Sequence, residues 1–165
     1  MVSMHEQCIG SYPQLLFFAL LILCHVHHVS YAYAIGYIGD SVANGVLKQG
    51  FRRAIGDAGS RPVPHQSTNA FDAAIVAIWP EHKNNIAYGF PSGHAQSVGY
   101  FVAFAHQFLP WRTWPPACIA AALSIALVLV WTRIAFRRHT ATQVIFGFAF
   151  GIATFRAVHW FRKLA

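Results

Sequence analysis

Charge is scarce in this chain. Only 10% of its 165 residues are Asp, Glu, Lys or Arg, against about 25% in an average soluble domain. So few charged groups cannot cover a surface that faces water on every side. The shortfall is not made up by disorder-promoting residues, because 56% of the chain is apolar and 15% aromatic. A disordered chain is therefore excluded, and so is a collagen-like fibre. Cysteine is rare and odd in number: Cys8, Cys24 and Cys118 form no C-x-x-C unit. A disulfide framework is excluded, and the redox compartment stays undetermined. Acidic residues are fewest, with Glu6, Asp40, Asp57, Asp72 and Glu81 scattered singly. That scatter argues against a carboxylate-bridged metal pair. The length fits one domain, residues 1–165, and is too short for two independent cores.

What is present is apolar sequence in runs. They cover residues 15–35, 94–109, 117–131 and 140–161. A helix needs about 20 apolar residues to span a bilayer. The third and fourth runs meet that length with modest extension. The second is short and polar on one side, which a bundle interior would tolerate. These limits predict an all-α, multi-pass transmembrane bundle with helices at about 14–35, 38–55, 92–109, 116–134 and 139–162. A long loop, 56–91, separates the second helix from the third, with one short helix near 71–78; a loop of that length is usually functional. Pro110, Pro115 and Pro116, with Trp111 and Trp114, make a tight connection at the membrane interface. The helices on either side of it should be antiparallel neighbours.

The first run also has features of a secretory signal peptide, ending in Tyr31-Ala32-Tyr33-Ala34. No Lys or Arg precedes its apolar core, which favours an uncleaved helix. The second helix reads as amphipathic, with Val42, Val46 and the Phe51/Ile55 pair on its apolar side. Lys48 and Arg52 fall on its polar side.

The net charge is +7, but the cations sit at the ends of apolar runs and form no basic arm or stripe. This placement fits anionic ligands at a membrane surface better than nucleic acid. Three clusters carry chemistry. Arg61-Pro62 lies in the long loop, Pro91-Ser92-Gly93-His94 opens the third helix, and Arg133 and His139 flank the turn between the last two. Helices of alternating direction would bring all three to one face. A helix beginning near Ser92 offers free N–H groups and a dipole to an anion, and Gly93 allows close approach. Arg61 and Arg133 can fork onto phosphate oxygens. His94 and His139 can supply a nucleophile and a proton donor. Taken singly, each cluster is no more than a helix start or a basic helix end; their joint spacing is what points to phosphate chemistry.

Tyr-Gly-Phe-Pro-Ser-Gly-His-Ala-Gln (88–96) together with Thr-Arg-x5-His-x3-Gln (132–143) resembles the type 2 phosphatidic acid phosphatase superfamily. Gln143, where most members carry Asp, and the Tyr-Gly-x-Pro-Ser lead-in are similar to its dolichyl-diphosphatase branch. The resemblance covers about residues 44–147. It departs from the family pattern in the first motif, Lys-x6-Arg-Pro, because Ala54 stands seven residues before Arg61. An insertion near 56–60 would let Lys48, or next Arg52, take the lysine's place; Arg53 is a further option.

The resemblance implies the fold of the acid phosphatases and vanadium haloperoxidases. It implies that His139 attacks phosphorus to form a phosphohistidine and that His94 protonates the leaving oxygen. Lys48 or Arg52, Arg61, Ser92, Gly93 and Arg133 would hold the phosphate, and Gln143 would orient His139. No metal or organic cofactor is implied. The expected substrate is a polyisoprenyl, dolichyl-like diphosphate in a membrane, with the active site lumenal or external, in the endoplasmic reticulum if the host is eukaryotic. Arg137 and Arg138 could hold a second phosphate. The alternatives are a phosphatidic acid or sugar monophosphate phosphatase, an inert membrane scaffold, a haloperoxidase, and a metal protein built on His25, His27 and His28.

Overall fold

The structure is a computed structural model that describes residues 12–62, 77–78, 80, 84, 87–109 and 114–164. The short helix expected at 71–78 and the Trp111 turn lie mostly outside the described residues. Among the described residues five helices form the fold: α1 (Tyr12–Val26), α2 (Ala32–Ile55), α3 (Gly93–Phe108), α4 (Pro116–Ala135) and α5 (Ala141–Leu164). A 3₁₀ turn, Gly56–Gly59, follows α2. An isolated bridge pairs Ser60 with Tyr88.

The first two helices differ from the sequence expectation. The chain reverses between Val26 and Ala32, inside the stretch read as one helix from 14 to 35. His28 takes φ 51°, a left-handed conformation that ends a helix. Beyond it, Gly36 lies within α2 and starts nothing new. His25, His27 and His28 are all exposed at this reversal.

The amphipathic reading of α2 is inverted. Tyr33, Tyr37, Asp40, Asn44 and Lys48 form the buried stripe, while Ile35, Ile38, Val42 and Val46 are exposed. Spacings of three and four residues put each set on one face. A helix that hides its polar face and shows its apolar face suits an apolar surrounding.

Those polar groups satisfy one another at the centre of the bundle. Gln96 Nε2 donates to the Asp40 carbonyl at 2.8 Å and to Asp40 Oδ1 at 2.7 Å. Thr154 Oγ1 also donates to Asp40 Oδ1. Asn44 Nδ2 donates to Gln96 Oε1 at 2.7 Å. Because Asp40 offers acceptors, the Gln96 amide can point only one way, and that fixes Asn44 in turn. Asn44 Oδ1 consequently faces Gly93, 3.0 Å from where a Cβ would stand. The network joins α2, α3 and α5 one turn beneath the start of α3.

The tightest contact is α3 against α5. Gly147 and Gly151, one turn apart, lie against the backbone of Ser92 and Gln96, and Gly99 lies against Phe148. Small residues at this spacing let two backbones approach closely. Aromatic packing secures the opposite end, where Tyr33 lies 4.8 Å from Phe108 and 5.7 Å from Phe155 between ring centroids. Tyr100 donates to the Tyr33 carbonyl at 2.8 Å.

Among the described residues two helices, α4 and α5, are long and apolar enough to cross a membrane. Arg133 is the buried residue of α4, while Leu123, Ile125, Leu127, Val128 and Trp131 are exposed. Such a surface is unfavourable in water and favourable in lipid.

One prediction follows from the α3–α5 contact. A Cβ at Gly151 would overlap the Gln96 carbonyl oxygen and sit 2.8 Å from the Tyr100 amide nitrogen, whereas a Cβ at Gly39 meets nothing within 4 Å. Gly151→Ala is expected to destabilise the bundle by about 1–3 kcal/mol, read as a lower thermal unfolding midpoint in detergent. Gly39→Ala should leave the midpoint unchanged or raise it.

Candidate active site

The start of α3, the end of α4 and the start of α5 meet at one end of the bundle, with the last turns of α2 beside them. Each segment brings a polar group for a local reason. Ser92 caps α3, its side chain accepting from the Ala95 amide at 3.4 Å, which leaves the first N–H groups of the helix directed at the site. The Ser92 amide donates to the Gln143 carbonyl at 3.0 Å, so the cap is tied to α5. Gly93 and His94 are half-buried at the mouth. The Phe90–Pro91 peptide bond is cis.

At the end of α4 the Arg133 carbonyl accepts from the amides of Arg138 and His139, at 3.0 and 2.9 Å. Arg137 completes the reversal at φ 52°. This tight turn places His139 just before α5 and buries it, with 2% of its surface exposed. Arg133 is 4% and Lys48 6% exposed. The Lys48 ammonium donates to the Tyr88 carbonyl at 3.0 Å.

The hydrogen bonds around His139 define its tautomer. Arg61 Nη1 lies 2.9 Å from His139 Nε2. A guanidinium can only donate, so Nε2 is the unprotonated acceptor. The proton then sits on Nδ1 and is donated to the Gly89 carbonyl at 3.0 Å and to Gln143 Oε1 at 3.2 Å. The Nε2 lone pair is thus directed at the cations.

Gln143 does more than orient the ring. Its Oε1 also accepts from the Thr140 amide at 3.1 Å. Its Nε2 donates to the carbonyls of Gly59 and Ser60, at 3.1 and 2.9 Å. Ser60 precedes Arg61, so the amide fastens the loop that carries the arginine. A carboxylate could accept from His139 and Thr140 but could not donate to that loop. Gly89 is confined in the same place, since a Cβ there would lie 2.7 Å from the Gln143 amide.

Electrostatics follow from this crowding. Burial holds the His139 pKa well below the usual value of 6.5, and Arg61, Lys48, Arg133 and His94 lower it further. Both causes disfavour a charged ring. Several cations held in a partly dry pocket repel one another, and a bound anion is the natural compensation.

The structure therefore groups Lys48, Arg61, Ser92, Gly93, His94, Arg133, His139 and Gln143. Arg52 is not among them; it is exposed, as is Arg53. Lys48 lies one turn deeper than Arg52, on the buried stripe of α2. The odd spacing to Arg61 has a structural cause: α2 runs on to Ile55, and the 3₁₀ turn Gly56–Gly59 then folds the chain back. Tyr88 holds that turn, its hydroxyl donating to the Gly56 carbonyl at 3.1 Å. Arg137 is exposed and Arg138 half-buried, with the Arg138 carbonyl accepting from Arg61 at 3.3 Å. Asn44, Tyr88, Gly89 and Gln96 had no role assigned from sequence, although the last three stand in the 88–96 motif. For Asn44 a signal existed, because Asp40, Asn44 and Lys48 recur at four-residue spacing in an apolar region.

Comparison with known proteins places the chain in a family. The chain is 34% identical over 111 residues to a lipid A 1-phosphatase of Rhizobium johnstonii (strain DSM 114642 / LMG 32736 / 3841). The match covers 67% of this chain and 40% of that protein, so the chain spans about two fifths of its relative's length. No solved structure matches it. Residues 27–165, which contain every group assembled around His139, match the PAP2 superfamily, and the chain belongs to that family.

Proposed function

We propose that this protein is a metal-independent, integral-membrane lipid phosphatase that works through a phosphohistidine on His139. The observation that carries the proposal is the unprotonated Nε2 of His139, buried and aimed into a ring of cations. The substrate phosphate sits at the start of α3, against the N–H groups of Gly93 and His94. Arg61, Lys48 and Arg133 balance its equatorial oxygens. Arg61 occupies Nε2 at rest, so its guanidinium shifts onto the phosphate as substrate arrives.

In the first step Nε2 forms a bond to phosphorus while the bond to the leaving oxygen breaks. His94 donates a proton to that oxygen. In the second step His94 takes a proton from water, whose oxygen displaces Nε2 from phosphorus and releases inorganic phosphate. The Nδ1 proton stays with Gly89 and Gln143 throughout. Gln143 adds no negative charge to stabilise an imidazolium, and this keeps His139 neutral over a wide pH range.

For substrate, a polyisoprenyl diphosphate is our first reading, with the chain in the bilayer and the terminal phosphate in the site. Arg137 and Arg138 lie at the rim, where a second phosphate would reach. A membrane lipid with a phosphorylated sugar head is the second reading, favoured by the relative named as a lipid A 1-phosphatase. The inverted amphipathicity of α2 and the exposed apolar faces of α4 support a bundle that crosses the membrane several times. We place its active site at the lumenal or external surface, which is the endoplasmic reticulum lumen in a eukaryotic host.

Three outcomes test this. Phosphate release from farnesyl diphosphate by purified protein in detergent with EDTA should be robust and should vanish in His139→Ala; equal release by both would remove the enzyme reading in favour of a scaffold. His94→Ala should cost about 10²–10⁴-fold in kcat on a phosphate monoester, and clearly less on a diphosphate, whose leaving group is the weaker base. The free-enzyme pH profile should test Gln143. Because burial and cations lower the His139 pKa, kcat/KM should hold as pH falls through 6.5 and fail only below it. Gln143→Glu puts a carboxylate beside the ring and should move that acid limb upward. The same variant loses both bonds to the Arg61 loop, so KM should rise about tenfold or more, the worth of one to two hydrogen bonds. An unshifted limb would overturn the role given to Gln143.

A further inference from the structure

We propose that the apolar groove between α3 and α4 is the subsite for the hydrocarbon chain of the substrate, a reading that rests on the lipid phosphatase proposed above. The groove encloses about 310 Å³, at the lower end of the range for small-molecule sites. Its walls are almost wholly carbon. Val98, Val102 and Ala105 of α3 line one side, and Ala122, Ala126 and Leu129 of α4 line the other.

The spacing of these residues ties the groove to the phosphate site. On α3 they stand 4, 8 and 11 positions after His94. On α4 they stand 4, 7 and 11 positions before Arg133. A helix of 3.6 residues per turn returns to one face at those intervals. The faces that present His94 and Arg133 to the anion are therefore the faces that form the groove. It begins about 6 Å along the helix axes from both residues and, with His106 and Ile119 at its far end, runs on for about 12–15 Å more. That depth spans at least one leaflet of a hydrocarbon core about 30 Å thick.

Continuity names the occupant. A chain bonded to a phosphate at Gly93 has cations around its head, and the groove is the apolar path that adjoins them. The groove exists because α4 turns small side chains, Ala122 and Ala126, toward α3 while Leu127, Val128 and Trp131 point outward. Arg133 is the buried residue of α4, and the groove-lining Ala122, Ala126 and Leu129 are half-buried. The groove contributes binding through area removed from water, and chemistry is left to the residues above it.

The test compares two monoesters with the same phosphate: hexadecyl phosphate, which has a long chain, and p-nitrophenyl phosphate, which has none. The readout is the ratio of their kcat/KM values on full-length protein in one detergent. Ala126→Trp and Ala122→Trp fill the groove and should lower the ratio, long chain over chain-free, at least tenfold. Ala121→Trp, on an exposed position outside the groove, should keep it. If Ala126→Trp fails to fold, Val102→Phe narrows the groove from the α3 wall and the same ratio decides. A ratio unchanged in the groove variants overturns the proposal and leaves the groove to ordinary bilayer lipid. Equal losses on both substrates overturn it too, because the groove would then act only through the phosphate seat. Wild-type protein that cleaves p-nitrophenyl phosphate but no lipid phosphate would instead remove the lipid reading itself.

Discussion

The site depends on one primary amide. Gln143 is where three distant stretches are held together: its backbone carbonyl accepts from the cap of α3, its side-chain oxygen accepts from His139, and its side-chain nitrogen donates to the loop that ends at Arg61. All of these bonds are buried or nearly so. Buried polar groups must be paired, and a broken bond would leave several groups unsatisfied at once. The amide thus sets the ring, the arginine and the cap of α3 by a single constraint. A carboxylate could meet only part of it.

Around that amide the fold gathers positive charge in a place that resists it. Lys48, Arg61, Arg133, His94 and His139 crowd a pocket with little access to water. The cost is borne by rigid helix contacts elsewhere, above all the glycine-mediated approach of α3 to α5 and the polar network of Asp40, Asn44, Gln96 and Thr154. These hold the helix ends in place so that the cations cannot drift apart. The same crowding keeps the imidazole neutral and its lone pair available. The crowding of the cations and the neutral state of the imidazole thus have one physical origin.

Much of the site was legible in the sequence, since Ser92, Gly93, His94, Arg133, His139 and Gln143 fall in two compact motifs, each local to a helix end. The helical class was legible too, because long apolar runs with Pro and Gly at their limits leave few other folds. Other readings failed for identifiable reasons. The break at His28 has no proline or glycine to mark it, only His25, His27, His28 and Ser30 within a longer apolar run. The two faces of α2 were exchanged because a helical moment shows that faces differ and not which of them is inside. In an apolar surrounding the polar face is the one that turns inward.

Composition and spacing by themselves determined a helical, membrane-associated chain with paired histidines and arginines at helix ends, because such signals are short-range and survive without contacts. Tertiary structure decided which cation completes the site. Lys48 and Arg52 lie one turn apart in sequence, but burial separates them, and only packing against Tyr88 and the folded-back turn after α2 selects Lys48. It also decided what Gln143 holds, since its partners at Gly59 and Ser60 lie more than eighty residues away. Local pattern carries no record of a hydrogen bond whose two ends meet only when the helices do.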